Sequence, residues 1–219
     1  MERMDAMPGY GLIIGDKHLS SWSLRAWLLL RHLDLAFQEQ VVRLDQPDTR
    51  QNILKFSPAA RVPVLLAGDQ AIWESLAIIE FIAEQHPDLA VWPRDPIQRA
   101  QARVMAAEMH SGFTALREEL PFELQMHAPH GKPRRVVEDD IDRNCDIWRQ
   151  GRRQFGARGK FLFGDFSAAD VMYAPVAVRF KHYGIALDDV CRGYVEAVFA
   201  LPRLQEWLAA AALETPTSG

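Results

Sequence analysis

The sequence predicts a two-part molecule: a small α/β domain built on one sheet, followed by an all-helical domain. Three observations predict it. Short strand-like and helix-like stretches alternate through residues 10–86 in the order βαβαββα. A stiff, proline-rich stretch, Trp92-Pro93-Arg94-Asp95-Pro96, then interrupts the pattern. Beyond it the strand signals nearly vanish and helical periodicity takes over. The domains are accordingly drawn at residues 8–86 and 97–214, with 87–96 as the linker.

Residues 10–14 are a short apolar run and read as the first strand. Residues 23–32 are helical, with Leu24, Trp27, Leu28 and Leu30 recurring at helical spacing. Residues 37–44 form the second strand, centred on Val41 and Val42. A short helix at 49–56 is broken by Ser57-Pro58. Residues 62–66 and 71–73 are the third and fourth strands, joined by a tight turn at Gly68-Asp69. The helix at 75–85 carries Leu76, Ile79 and Ile82 on one face and stops at His86-Pro87-Asp88. A parallel strand pair with a crossover helix, then a hairpin and a last helix, builds one small sheet with helices on its faces. In the second half, long helical patterns cover 97–120 and 136–155, followed by 168–183, 188–199 and 202–213. The tail 215–219 is expected to be loose.

Composition narrows the function classes. The chain has 219 residues, 48% hydrophobic and 25% charged, which excludes a disordered acidic chain and a disulfide scaffold. A net charge of −4 lacks the basic excess of a dedicated nucleic-acid binder. The first ten residues carry Glu2 and Asp5 without an apolar core, so no signal peptide is expected; nor does the stretch that follows hold a membrane span. A cytoplasmic protein with no nucleic-acid or membrane partner is expected. Cys145 and Cys191 make neither a CxxC pair nor a metal spacing and are expected to be reduced and buried. The cluster Asp139, Asp140 and Asp142 reads as a solvated helix face, and His110, His127 and His130 form no HExxH pair, so no metal is expected.

Four short motifs lie in a telling order. Ser20-Ser21-Trp22-Ser23-Leu24-Arg25 sits at the first strand-to-helix turn, and Arg61-Val62-Pro63-Val64 at the third strand. Glu74-Ser75 opens the third helix, and Phe166-Ser167-Ala168-Ala169-Asp170 a helix of the second half. From about residue 10 to 213 the chain resembles the cytosolic glutathione S-transferase family, as a zeta-like serine-type member. The resemblance implies a thioredoxin-like N-terminal domain and an all-α C-terminal domain. It implies glutathione as co-substrate, a small electrophile as second substrate, a role in detoxification and a homodimer. Zeta-type members carry cysteine where this chain has Trp22, and no cysteine lies in the first 144 residues. Protein-thiol redox chemistry at this turn is therefore not expected, since it needs a protein thiolate.

What the resemblance implies can be weighed residue by residue. The reactive form of glutathione is the thiolate, and a serine hydroxyl at a helix N-terminus can donate to it. Ser20 is assigned that role ahead of Ser21, with Trp22, Ser23 and Arg61 beside them. One of the serines is also expected to cap the helix. A cis Val62-Pro63 bond would turn the Val62 backbone outward, to pair with glutathione like an added strand. Ser75 and the free N–H groups of its helix suit the γ-glutamyl carboxylate, and Glu74 the γ-glutamyl ammonium. Ser167 and Asp170 read as a capping box that serves folding. Met105, Met109 and Phe113, at four-residue spacing on the first long helix, are expected to line a pocket for an apolar electrophile. Addition of the thiolate to that electrophile is the expected reaction. A glutathione-dependent cis-trans isomerase of the maleylacetoacetate type, or a noncatalytic binding or regulatory member, is the alternative.

Overall fold

The first strand is buried on both faces, and its alternation decides which residues meet which layer. In β1 (Tyr10–Gly15), Leu12 and Ile14 face one side and Ile13 the other, all fully or almost fully buried. The structure, a computed structural model, describes residues 9–126 and 133–215. Helix α1 (Ser21–His32) carries the chain across to β2 (Phe37–Val42), which pairs with β1 in parallel. After α2 (Thr49–Leu54), β3 (Val64–Ala67) and β4 (Gln70–Trp73) form an antiparallel hairpin, and β3 runs antiparallel to β1. Gly68 supplies the left-handed residue of the hairpin turn, at φ +58°. The sheet order is β2-β1-β3-β4, and α3 (Ser75–Gln85) follows. Leu12 and Ile14 pack with Leu24 and Leu28 of α1 and Ile78 and Ile82 of α3. Ile13 packs on the opposite face with Val42, Ile53 of α2 and Val64.

Several boundaries differ from expectation for local reasons. Strand β3 starts at Val64 rather than 62, because Pro63 has no N–H to give a ladder. Strand β2 ends at Val42 rather than 44; the Leu44 N–H is taken by Asp16 Oδ2 at 2.6 Å. Helix α1 begins at Ser21, two residues early, because Ser20 caps it.

The helical domain comprises α4 (Pro96–Ser111), α5 (Thr114–Glu119), α6 (Arg135–Phe155), α7 (Ala168–His182), α8 (Asp189–Phe199) and α9 (Pro202–Leu213). The single helix expected over 97–120 is in fact two. Gly112 ends α4, and Phe113 adopts a left-handed conformation at φ +60°, which redirects the chain into α5. Helix α7 is the hub: residues 168–180 are all buried, and it packs against α1, α4 and α8. Its start is fixed by Asp170, whose Oδ2 accepts from Ser167 N–H at 2.9 Å and whose Oδ1 accepts from Leu162 N–H at 3.0 Å. Burial raises the Asp170 carboxyl to about 6 in spite of these donors. Both cysteines are free and buried, and α6 and α8 bring Cys191 Sγ to 3.7 Å from the Cys145 carbonyl. Among the described residues no helix is long and apolar enough to cross a membrane.

Candidate functional site

The turn between β1 and α1 is held by a small ring of serine hydrogen bonds. Ser20 Oγ accepts from Ser23 N–H at 3.3 Å, the N-cap bond, and donates to Ser23 Oγ at 2.7 Å. Ser23 Oγ also accepts from Gly15 N–H at 3.0 Å, tying the last residue of β1 to the first turn of α1. Ser21 is bound differently: its hydroxyl accepts from Arg179 of α7 at 3.3 Å, and its carbonyl accepts from Arg25 at 3.1 Å. All three serines are buried and each has a structural partner.

Beside this turn lies a cavity of about 370 Å³, lined by Trp22, Arg61, Val62, Pro63, Glu74, Ser75, His110 and Arg117. The Val62-Pro63 peptide bond is cis. Glu74 stands at φ +69°, a sparsely populated conformation for a residue with a side chain, and forms the N-cap position of α3. Ser75 is 1% exposed, and its hydroxyl has no hydrogen-bond partner. A buried hydroxyl at a helix N-terminus that lines a cavity and lacks a partner is suited to an anionic group entering that cavity. Of the residues singled out from sequence, Trp22, Arg61, Val62, Pro63, Glu74 and Ser75 thus meet around one space. Ser20, Ser21 and Ser23 flank it but do not line it.

The third wall was missed. His110, at the end of α4, and Arg117, on α5, both line the cavity. The His110 ring meets Trp22 edge-on at 5.3 Å, and its Nε2 lies 3.7 Å from Glu74 Oε2, while its Nδ1 is buried without a partner. The Arg117 guanidinium sits over the Trp22 ring at 5.7 Å. No sequence signal marks either residue: His110 meets Trp22 from the last turn of α4, and Arg117 reaches the same ring only because the break at Gly112-Phe113 redirects the chain into α5. Met105, Met109 and Phe113, expected to line a pocket for the electrophile, do not line this cavity. All three belong to the core, and Phe113 lies outside the helix whose periodicity was to align it with the two methionines.

Other groups resolve into structural roles. Asp139 pairs with Arg135 at 2.9 Å, and Asp140 accepts the N–H of Leu116 at 3.0 Å, anchoring α5 to α6. His127 and His130 lie outside the described residues, as do the proposed domain start at residue 8 and the tail 216–219. Asp16, His18 and Glu214 bring ligating atoms within 4.8 Å of one another. Hydrogen bonds join two of them, since Glu214 accepts the N–H groups of Lys17 and His18 at 2.8 and 2.9 Å and His18 Nδ1 lies 2.6 Å from Glu214 Oε2, while Asp16 is held by the Leu44 N–H and by Arg43. A larger cavity of about 960 Å³, between α6 and α8, shares no residue with the site.

Comparison with known families decides the lineage. The model of the glutathione S-transferase N-terminal domain matches residues 19–85, and that of the C-terminal domain matches residues 97–210. The chain belongs to the glutathione S-transferase family. A probable maleylacetoacetate isomerase of Caenorhabditis elegans is 38% identical over 96 residues, 44% of each chain. The alignment thus spans less than half of that relative. The maleylacetoacetate isomerase of Pseudomonas aeruginosa is 30% identical over 179 residues, 77% of this chain and 80% of its own. Among solved structures, a glutathione transferase homolog from Burkholderia GL BGR1, with bound glutathione, superposes with a TM-score of 0.70 at 24% identity, covering 94% of this chain and 98% of that one. The thioredoxin-like α/β domain followed by a helical domain is the glutathione S-transferase fold.

Proposed function

We propose that this glutathione S-transferase is an enzyme that adds the glutathione thiolate to a small electrophile. The observation that carries the proposal is the buried, unpartnered Ser75 hydroxyl in the cavity formed by Val62, Pro63 and Glu74. Glutathione supplies the nucleophilic sulfur; the protein binds, orients and ionises it. Ser75 and the free N–H groups of α3 would take the γ-glutamyl carboxylate, Glu74 the γ-glutamyl ammonium, and the Val62 backbone the peptide. The sulfur would then face the start of α1, where the helix N-terminus favours negative charge and Ser20 is the hydroxyl donor. The Ser20 hydroxyl donates a hydrogen bond to Ser23 Oγ in the free protein, so donating to sulfur would mean turning that O–H away from Ser23. The electrophile would lie against Trp22, His110 and Arg117, an aromatic and cationic wall that suits a polar or acidic substrate better than a purely apolar one. Two copies would associate through α4, where Ile97 and Val104, seven residues apart, are 69% and 55% exposed.

Calorimetry at millimolar glutathione tests the proposal. Binding, with retention on immobilised glutathione, supports it, and no binding would sink it.

The names of two relatives favour a second reaction, glutathione-dependent isomerisation. An isomerase releases the glutathione it adds, so following the glutathione concentration during turnover separates the two.

A further inference from the structure

Three arginines converge beneath the first turn of α1. Among the described residues none of them has a carboxylate as hydrogen-bond partner. Arg25, 1% exposed, donates to the carbonyls of Met172 and Ser21, and its second terminal nitrogen, Nη2, is buried with no partner. Arg179, 4% exposed, donates to the Leu120 carbonyl and to Ser21 Oγ. Arg117 donates to the Gly112 carbonyl and to Thr114 Oγ1. Trp22 joins the group: the Arg25 guanidinium lies 4.1 Å from its ring centre and that of Arg117 5.7 Å.

This arrangement is unfavourable in the free protein. Burying a cation without an anion removes its hydration and returns only carbonyl dipoles and the face of an indole. The guanidinium equilibria record the cost. Burial, and then repulsion by Arg179 and Arg117, pushes Arg25 well below the usual range. Burial and repulsion by Arg117 lower Arg179 to about 10, and burial lowers Arg117. The opposing charges are weaker or more distant. Asp140 on α6 and Glu118 act on Arg117, whereas Arg25 and Arg179 face only the phenols of Tyr173 and Tyr183, which burial keeps neutral. Glu74 and His110 close the remaining side. An anion placed in the cavity beside Trp22 would supply what the fold leaves out.

We propose that Arg25, Arg117 and Arg179 form a cationic platform that holds the sulfur of bound glutathione as its thiolate. Arg117 acts from the cavity wall. Arg25 and Arg179 are positioning residues, acting from beneath through Ser21 and Trp22. This rests on glutathione being the ligand of the cavity. It adds an electrostatic source to the single serine hydroxyl, one that persists when that hydroxyl is removed.

The test is an ultraviolet pH titration of the thiol of bound glutathione, in the wild-type protein and three variants. Arg117→Gln should raise the midpoint by about one pH unit, a tenfold loss of thiolate on its acid side. Arg117→Lys should restore it to near the wild-type value. Glu118→Gln, an exposed change that removes an attracting anion, should move it slightly down and keeps the test open should Arg117→Gln fail to fold. Binding of S-methylglutathione, which keeps both carboxylates but has no thiol to ionise, should be little affected by Arg117→Gln. An unmoved midpoint in Arg117→Gln and Glu118→Gln with glutathione bound overturns the platform alone. So does an equal loss of S-methylglutathione affinity, which would make Arg117 a reader of carboxylate. Absence of glutathione binding to the wild-type protein overturns both the platform and the function beneath it.

Discussion

The hydroxyl of Ser20 donates to the hydroxyl of Ser23 across 2.7 Å, and Ser23 in turn accepts the last N–H of β1. The residue best placed at the helix start is thus also a structural pin. Ser20→Ala is expected to lower stability by about 1 kcal/mol, the usual cost of a lost N-cap. It is also expected to raise the pH at which bound glutathione ionises, with affinity largely kept. Urea denaturation and thiolate absorbance read the two effects separately. If Ser21→Ala moves the titration and Ser20→Ala does not, the roles are exchanged.

Ser75 gives a prediction with opposite signs in the free and bound protein. Its hydroxyl is buried and unpartnered, so it contributes desolvation cost and no bond to the free fold. Ser75→Ala should leave the free protein as stable as before or slightly more so, while glutathione binding weakens by about 1–3 kcal/mol, one hydrogen bond to a charged group. Unchanged affinity by calorimetry would make Ser75 a bystander.

The exposed apolar residues of α4 predict self-association. Light scattering should give about twice the chain mass of 24.9 kDa. Val104→Asp should return it to the mass of one chain, since a charge at the centre of an apolar contact must be desolvated. A wild-type mass of one chain would refute the dimer.

Asp170 carries a pH dependence of stability. Its carboxyl is raised from the ordinary 3.8 to about 6 by burial, so folding favours the protonated form. The contribution is full below about pH 4 and is lost as pH rises through about 6. Two units correspond to about 3 kcal/mol. Asp170→Asn cannot ionise. Its stability relative to wild type should therefore improve by about that amount between pH 4 and pH 7, measured by urea denaturation. A constant difference would mean that the donors to Asp170 offset its burial.

Much of the fold was legible because its signals are local. Alternation in residues 10–14 and the Gly68-Asp69 turn place strands, and His86-Pro87 marks where α3 stops. The break at Gly112-Phe113 was not legible. Leu116 and Leu120 continue the helical apolar spacing across it, and a left-handed phenylalanine leaves no mark in sequence. Six of the eight residues that line the cavity come from motifs of neighbouring residues, such as Glu74-Ser75. The other two depend on tertiary packing, of the last turn of α4 on Trp22 for His110 and of α5 on the same ring for Arg117, so they look in sequence like any surface histidine and arginine. Arg25 and Arg179 pose the same difficulty, because nothing local distinguishes a buried arginine from a solvated one.

Glu214 accepts hydrogen bonds from the backbone of Lys17 and His18, and Trp207 Nε1 donates to the Lys17 carbonyl at 3.0 Å. The turn leading into Ser20 is therefore held by groups made almost two hundred residues later. During synthesis the α/β domain leaves the ribosome long before α9, and until α9 and Glu214 follow, the N–H groups of Lys17 and His18 and the Lys17 carbonyl have only water as a partner; the His18 carbonyl is met earlier, by the Leu124 N–H at 3.0 Å. The nascent domain can assemble its sheet early, but the turn before Ser20 waits for residue 214 to complete its hydrogen bonds. A ribosome stalled between α8 and α9 would thus display a domain with β1 paired and the approach to Ser20 still unlatched.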